Sequence, residues 1–156
     1  VTKFEYESDL ERFDKTFNTN VRSMFNIIYK LKPFFSESSS IINFSSIGGK
    51  LGFPGNSSYC ASKGAVISLS KAIANDFGSY NIRVNCIVPG YFHTKMTTLS
   101  FNNEKEKKLR EKRTVLGRWG ELNELLGASI YLASDASSYV TGTELIVDGG
   151  WISKGL

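Results

Sequence analysis

Residues 41–90 read IINFSSIGGKLGFPGNSSYCASKGAVISLSKAIANDFGSYNIRVNCIVPG. The opening Ile41-Ile42-Asn43-Phe44 is a short, mostly apolar run between serines, the pattern of a buried parallel strand rather than an alternating surface strand. Glycines and Pro54 then make a loop. Ser57 or Ser58 can cap a helix whose apolar positions Ala61, Ala65, Leu69, Ala72, Ile73 and Phe77 lead to Gly78. Ile82 to Val88 is rich in β-branched residues and is stopped by Pro89-Gly90, so it reads as a second strand. A strand, a helix and a strand in this order predict a crossover that makes the two strands parallel.

The same alternation extends outward. Ser8-Asp9-Leu10-Glu11 fits a capping box, after which Leu10, Phe13, Phe17, Val21, Met24, Phe25, Ile28 and Leu31 give one apolar helix face until Pro33 ends it. A polar, helix-prone stretch follows the second strand to Arg113. A further helix is predicted over Asn123 to Leu132, and a last strand over Glu144 to Val147, closed by Asp148-Gly149-Gly150. Alternation of this kind predicts an α/β, doubly wound parallel sheet of Rossmann-like type with helices on both faces. Ligands on such sheets bind beyond the carboxyl ends of strands. Ser45-Ser46 and Pro89-Gly90 both fall there.

At 156 residues and 41% hydrophobic content, the chain suits one domain or part of one. No apolar stretch approaches the roughly 18 to 20 residues of a membrane span. Cys60 and Cys86, without further ligand pairs, indicate neither a disulfide framework nor a zinc site; no metal is expected, and a reducing cytoplasm fits. The net charge of +4 comes largely from Glu104 to Arg113, where three acids face six bases. That run reads as a solvated helix face or as a lid attracting an acidic substrate or carrier. Nucleic-acid binding is disfavoured, because no basic stripe interleaves with aromatics.

Tyr59 and Lys63, four apart on the predicted helix, lie one turn apart on one face, with Cβ atoms roughly 5–6 Å from each other. An unperturbed tyrosine titrates near pH 10, at about 10, and a neighbouring ammonium is expected to stabilise its phenolate and lower that value. The pair can therefore serve proton transfer.

Tyr59-Cys60-Ala61-Ser62-Lys63-Gly64-Ala65, preceded by Asn43-Phe44-Ser45-Ser46-Ile47-Gly48-Gly49, resembles the short-chain dehydrogenase/reductase family in motif content, order and spacing. The resemblance continues through Asn20-Val21, Val84-Asn85 to Pro89-Gly90, Thr94, Val140-Thr141-Gly142 and Val147-Asp148-Gly149-Gly150. It implies Tyr59 as general acid/base, Ser46 as the hydrogen-bond donor to the substrate carbonyl, and Lys63 acting on Tyr59 and on a nicotinamide ribose. Asn20, rather than Asn18, would hold a water leading to Lys63. Ser46 is preferred over Ser45 because it stands thirteen residues before Tyr59, the family's customary offset. Pro89, Gly90, Phe92 and Thr94 resemble the loop holding the nicotinamide carboxamide of NAD or NADP, with Phe92 departing from the usual aliphatic residue. His93 is expected as a surface side chain and Cys60 as packing.

The family's phosphate loop, Gly-x-x-x-Gly-x-Gly, occurs nowhere in these 156 residues. Three further βα units of about 30 residues, about 90 in all, would hold it. The sequence is therefore expected to be the C-terminal catalytic part of one domain, residues 1–156, with the phosphate-binding part missing, and to bind dinucleotide weakly and turn over poorly alone. Gly117-Arg118-Trp119-Gly120-Glu121 and Glu124 to Ala128 resemble gluconate 5-dehydrogenases, which implies a sugar acid or polyol substrate. The alternative is 3-oxoacyl-acyl-carrier-protein reduction, with an acidic carrier meeting Lys105, Lys107, Lys108, Arg110, Lys112 and Arg113. A non-catalytic half-domain acting only in assembly is the reading of another class. The resemblance also implies a homodimer or homotetramer, built on the first helix and the Tyr59 helix.

Overall fold

The computed structural model describes residues 10–155. Three parallel strands, β1 (Ser40–Phe44), β2 (Arg83–Pro89) and β3 (Glu144–Val147), form one sheet in the order β1-β2-β3. Ser40 pairs with Arg83 and Cys86 with Glu144, so β2 is central.

Side chains on β2 alternate between two helical layers. Val84, Cys86 and Val88 pack toward helix α3 (Ser57–Phe77), joining Ile73 and Phe77 in one apolar cluster and Ile47, Val66 and Trp151 in another. On the other face Arg83 donates to Leu132 O and Ser134 O around the end of helix α6 (Leu126–Ala133), and Asn85 Nδ2 donates to Val140 O at 2.7 Å. Helices on both faces of a parallel sheet make this the expected Rossmann-like architecture. Between β2 and α6 run the short helix α4 (Thr98–Asn102) and the charged helix α5 (Glu104–Arg113).

Several details depart from the sequence reading. The capping box rests on Ser8 and Asp9, which lie outside the described residues. The first long helix is α1 (Leu10–Phe17) and α2 (Ser23–Leu31) joined through a π turn, Asn18–Arg22. Of its expected apolar face only Ile28 is buried, while Leu10, Phe13, Phe25 and Leu31 are exposed. Helix α3 buries Ser62, Val66, Ser70, Ile73 and Phe77 rather than Ala61 and Ala72, which face solvent. The serines tolerate burial because Ser62 Oγ donates to Tyr59 O at 2.8 Å and Ser70 Oγ to Val66 O at 2.7 Å, so neither hydroxyl is stranded. The cap of α3 is Asn56, not Ser57 or Ser58. Strand β1 is an edge among the described residues, bonded to β2 alone, with Phe44 48% exposed.

Candidate active site

Two serines end β1 and do different work. Ser45 is buried, and its Oγ donates to Lys63 O at 2.7 Å, fastening the strand end to α3. Ser46 caps a single 3-10 turn, Ile47–Gly49, by accepting from Gly48 N at 3.1 Å. The Ser46 oxygen thus has one of its two lone pairs engaged while its O–H is left to donate.

That turn lies directly on α3. A Cβ at Gly49 would sit 2.7 Å from the Lys63 carbonyl carbon, and one at Gly48 3.1 Å from Tyr59 Cε1 and 3.3 Å from Phe53 Cε2. The absence of side chains at both positions lets Ser46 approach Tyr59. Burial pushes the Tyr59 phenol above its ordinary range, while hydrogen bonding with Ser46 pulls it back.

Lys63 Nζ stands 6.0 Å from the Tyr59 ring centroid and donates to Phe44 O at 3.1 Å. Burial lowers the lysine's pKa. The expected lowering of Tyr59 by this ammonium is not what the structure shows: desolvation dominates, with the lysine head turned to the strand carbonyl. Asn20 lies in the π turn, a distortion often found at functional sites, and Nδ2 donates to Ser62 Oγ at 3.0 Å. Asn20 and Lys63 line one groove of about 520 Å³ beside the open edge of β1. Ser46, Tyr59, Lys63 and Asn20 therefore gather at the carboxyl end of the sheet.

The loop after β2 stands beside them. Gly90 N donates to Val147 O at 2.9 Å, and a Cβ on Gly90 would meet Asp148 Cα at 2.7 Å, so the loop and the end of β3 are in direct contact. Phe92 is buried against Gly120, where a Cβ would fall 2.5 Å from its ring. The bulk that departs from an aliphatic residue is accommodated by a glycine. Thr97, not singled out in the sequence, donates from Oγ1 to Phe92 O at 2.6 Å and accepts from Thr94 N at 2.9 Å. The Thr94-x-x-Thr97 spacing is the only signal that could have revealed it.

His93 is exposed and stacked on Phe101 at 4.0 Å. Cys60 is a half-buried free thiol, and burial holds the Cys86 thiol up at about 11, too protonated for nucleophilic work at neutral pH. Among the described residues no group of His, Cys, Asp or Glu has metal-holding geometry, and no helix is long and apolar enough to cross a membrane. A cavity of about 580 Å³ between Lys32 and Ile82 lies at the start of β2, away from this chemistry.

The profile of the family described as enoyl-(acyl carrier protein) reductase matches residues 3–152. A 3-oxoacyl-acyl-carrier-protein reductase of Chlamydia trachomatis is 44% identical over 142 residues, covering 90% of this chain and 56% of that protein. A gluconate 5-dehydrogenase of Gluconobacter oxydans is 44% identical over 110 residues, 70% of this chain and 43% of that one. The structure of a gluconate 5-dehydrogenase from Burkholderia cenocepacia, in complex with NADP and tartrate, matches with a TM-score of 0.90 at 34% identity, over 94% of this chain and 58% of the other. The chain spans little more than half the length of such curated relatives.

Proposed function

The chain belongs to the short-chain dehydrogenase/reductase family, and from that premise we propose that it carries the proton-transferring part of an NAD- or NADP-dependent oxidoreductase interconverting a secondary alcohol and a ketone. The observation behind this reading is the meeting of the Tyr59 phenol with Ser46 at the end of β1, with Lys63 one turn along α3.

In ketone reduction the substrate oxygen gains negative charge and then a proton. Ser46 O–H donates to that oxygen, and Tyr59 Oη delivers the proton. In the reverse direction the Tyr59 phenolate takes it back, with Ser46 rather than Lys63 as the neighbour that eases its ionisation. Asn20 positions a water that relays the proton onward from Lys63. The donor set fits the nicotinamide end of a dinucleotide: Tyr59 and Lys63 for its ribose, and the Pro89-Gly90 loop with Phe92 backbone and Thr94 for its carboxamide. When bound, that cofactor supplies or accepts the hydride. No Gly-x-x-x-Gly-x-Gly stands in the sequence to take its phosphates.

Tyr59→Phe tests the assignment. NAD- or NADP-linked turnover is expected to fall about 100- to 10,000-fold, with thermal unfolding close to the parent because only a hydroxyl is lost. A phenylalanine variant as fast as its parent would sink the mechanism.

For the substrate, similarity to two gluconate 5-dehydrogenases supports a sugar acid or polyol. The identity with the chlamydial reductase supports a second reading, reduction of a 3-oxoacyl thioester. Turnover of acetoacetyl thioesters but not of keto sugar acids would favour the second over the first.

A further inference from the structure

Helix α5 carries six bases and three acids, and three of those bases, Lys107, Arg110 and Arg113, lie over aromatic rings. Arg110 and Arg113, three residues apart and so on one face of the helix, line a cavity of about 330 Å³ together with Phe53, Tyr91 and Trp151. Each guanidinium lies over a ring: Arg110 at 4.9 Å from the Tyr91 centroid and Arg113 at 5.5 Å from that of Trp151. Contact with an aromatic face orients a guanidinium while leaving its N–H edge available to a planar anion.

The two arginines differ in how they are paired. The Arg110 side chain is only 21% exposed, and Nη1 meets both the Glu106 carboxylate and Glu106 O at 3.1 Å, while its Nε is buried without a hydrogen-bond partner. Among the described residues no carboxylate forms an ion pair with Arg113. Asp148, the acid closing β3, already accepts from Gly150 N and Ile152 N at 2.8 Å each.

The cavity also touches the proton-transfer site. Phe53 and the Tyr59 ring both lie against Gly48, Phe53 is 6.4 Å from the Tyr91 ring, and Tyr91 contributes to raising Tyr59. We propose that Arg110 and Arg113 form a carboxylate subsite, which binds the acid end of a small hydroxy or keto acid and aims its carbinol carbon at Tyr59.

This inference rests on the oxidoreductase reading and narrows its substrate. A volume of about 330 Å³ is at the small end of ligand pockets, which run from about 300 to 1,000 Å³. A free acid fits there better than the surface of an acidic carrier protein, which would meet the exposed Lys105, Lys108 and Lys112 as well as Arg113.

The test compares D-gluconate with D-glucitol, identical but for carboxylate against hydroxymethyl, using the full chain with NAD and with NADP. Arg113→Ala and Arg110→Ala are each expected to reduce the gluconate/glucitol ratio of kcat/KM about 10- to 100-fold, mainly through KM for gluconate, since each removes a charge-assisted contact. Arg113→Lys should recover part of the ratio. Calorimetric binding of gluconate should weaken in parallel, a readout independent of turnover. An unchanged ratio and unchanged gluconate binding overturn the subsite and leave the oxidoreductase reading intact. If neither compound turns over, as weak dinucleotide binding would produce, gluconate binding alone decides the subsite: selective weakening in the arginine variants supports it, and unchanged binding overturns it. Turnover of an acyl-carrier-protein substrate that is sensitive to Lys105, Lys108 and Lys112 but not to Arg113 also overturns it.

Discussion

Tyr59 is held in surroundings that favour the neutral phenol, since burial raises its pKa more than Ser46 lowers it. A raised pKa means the proton stays in place below about 10, the ordinary tyrosine value. It is then lost only at more alkaline pH. Reduction, which needs that proton, should be nearly flat from about pH 6 to 9. Oxidation, which needs the phenolate, should climb about tenfold per unit over the same range. In the cofactor-free protein the ionisation can be read directly from ultraviolet absorbance. Seven tyrosines contribute, and subtracting the titration of Tyr59→Phe isolates one of them. A difference curve with its midpoint below about 10 would refute the burial argument.

The choice between Ser45 and Ser46 belongs to the same scale. Their adjacency in sequence gives no physical reason to prefer either, and only the family offset does. The structure supplies one: the Ser45 hydroxyl is spent on Lys63 O, while Ser46 faces Tyr59. By contrast, the effect of Lys63 on Tyr59 is misjudged from spacing alone, because spacing says nothing about the Phe44 carbonyl that captures the ammonium.

Among the elements, the 3-10 turn after β1 is the part whose fit is tightest. Gly49→Ala places a methyl within 2.7 Å of α3 backbone, which cannot swing aside as a side chain could. It should destabilise the protein by about 1–3 kcal/mol and lower turnover by displacing Ser46. Gly52 offers an internal control, since a Cβ there meets nothing within 4 Å. Denaturant midpoints of both variants are the measurement, and equal midpoints would contradict the packing.

Glu144, at the start of β3, joins Lys50 at 2.5 Å and Lys71 at 2.6 Å, linking the strand to the end of the Ser46 turn and to α3. Hydrogen bonds from both lysines hold its carboxyl below the ordinary value of 4.5. Its stabilising contribution is therefore complete above that pH and is lost as pH falls through the lowered folded value. Glu144→Gln should cost about 1 kcal/mol, or about 2–4 °C in Tm, with partial solvent screening already included. It should also flatten the fall in stability below pH 4.5. A Tm difference that stays constant from pH 7 to 3 would show that the ion pairs carry none of it.

Elements are legible in the sequence to different depths for physical reasons. β2 and β3 stand out through β-branched runs and turn residues. The buried face of α3 does not, since Ser62 and Ser70 read as polar until their bonds to Tyr59 O and Val66 O are seen. The π turn at Asn20 is a one-residue change in helical winding that leaves no compositional trace, and the ring partners of Arg110 and Arg113 come from distant segments. The parallel sheet and the gathering of Asn20, Ser46, Tyr59 and Lys63 follow from local pattern and family motif. The edge position of β1 depends on which strands lie beside it, and no local pattern encodes that.

For the molecule as a whole, that edge sets the strongest expectation about solution behaviour. β1 offers an unpaired row of backbone groups on one side among the described residues, and the surface nearby is apolar: Ile27, which lines the groove shared by Asn20 and Lys63, is 58% exposed, and Phe34, next to the groove residue Phe35, is 81% exposed. Leu10, Phe13 and Phe25 on α1 and α2 add to it. An open strand edge beside exposed apolar side chains is a template for pairing with another chain. The net charge of +4 is too small to oppose contact strongly at physiological ionic strength, where the screening length is about 8 Å. The 17.3 kDa chain should therefore sediment as a dimer or larger at tens of micromolar. Replacing Ile27 and Phe34 with Lys should shift it toward monomer, by removing apolar contact and adding repulsion across the edge. Sedimentation velocity at several concentrations decides the point. A single monomeric boundary throughout the range would show that this surface is satisfied by water.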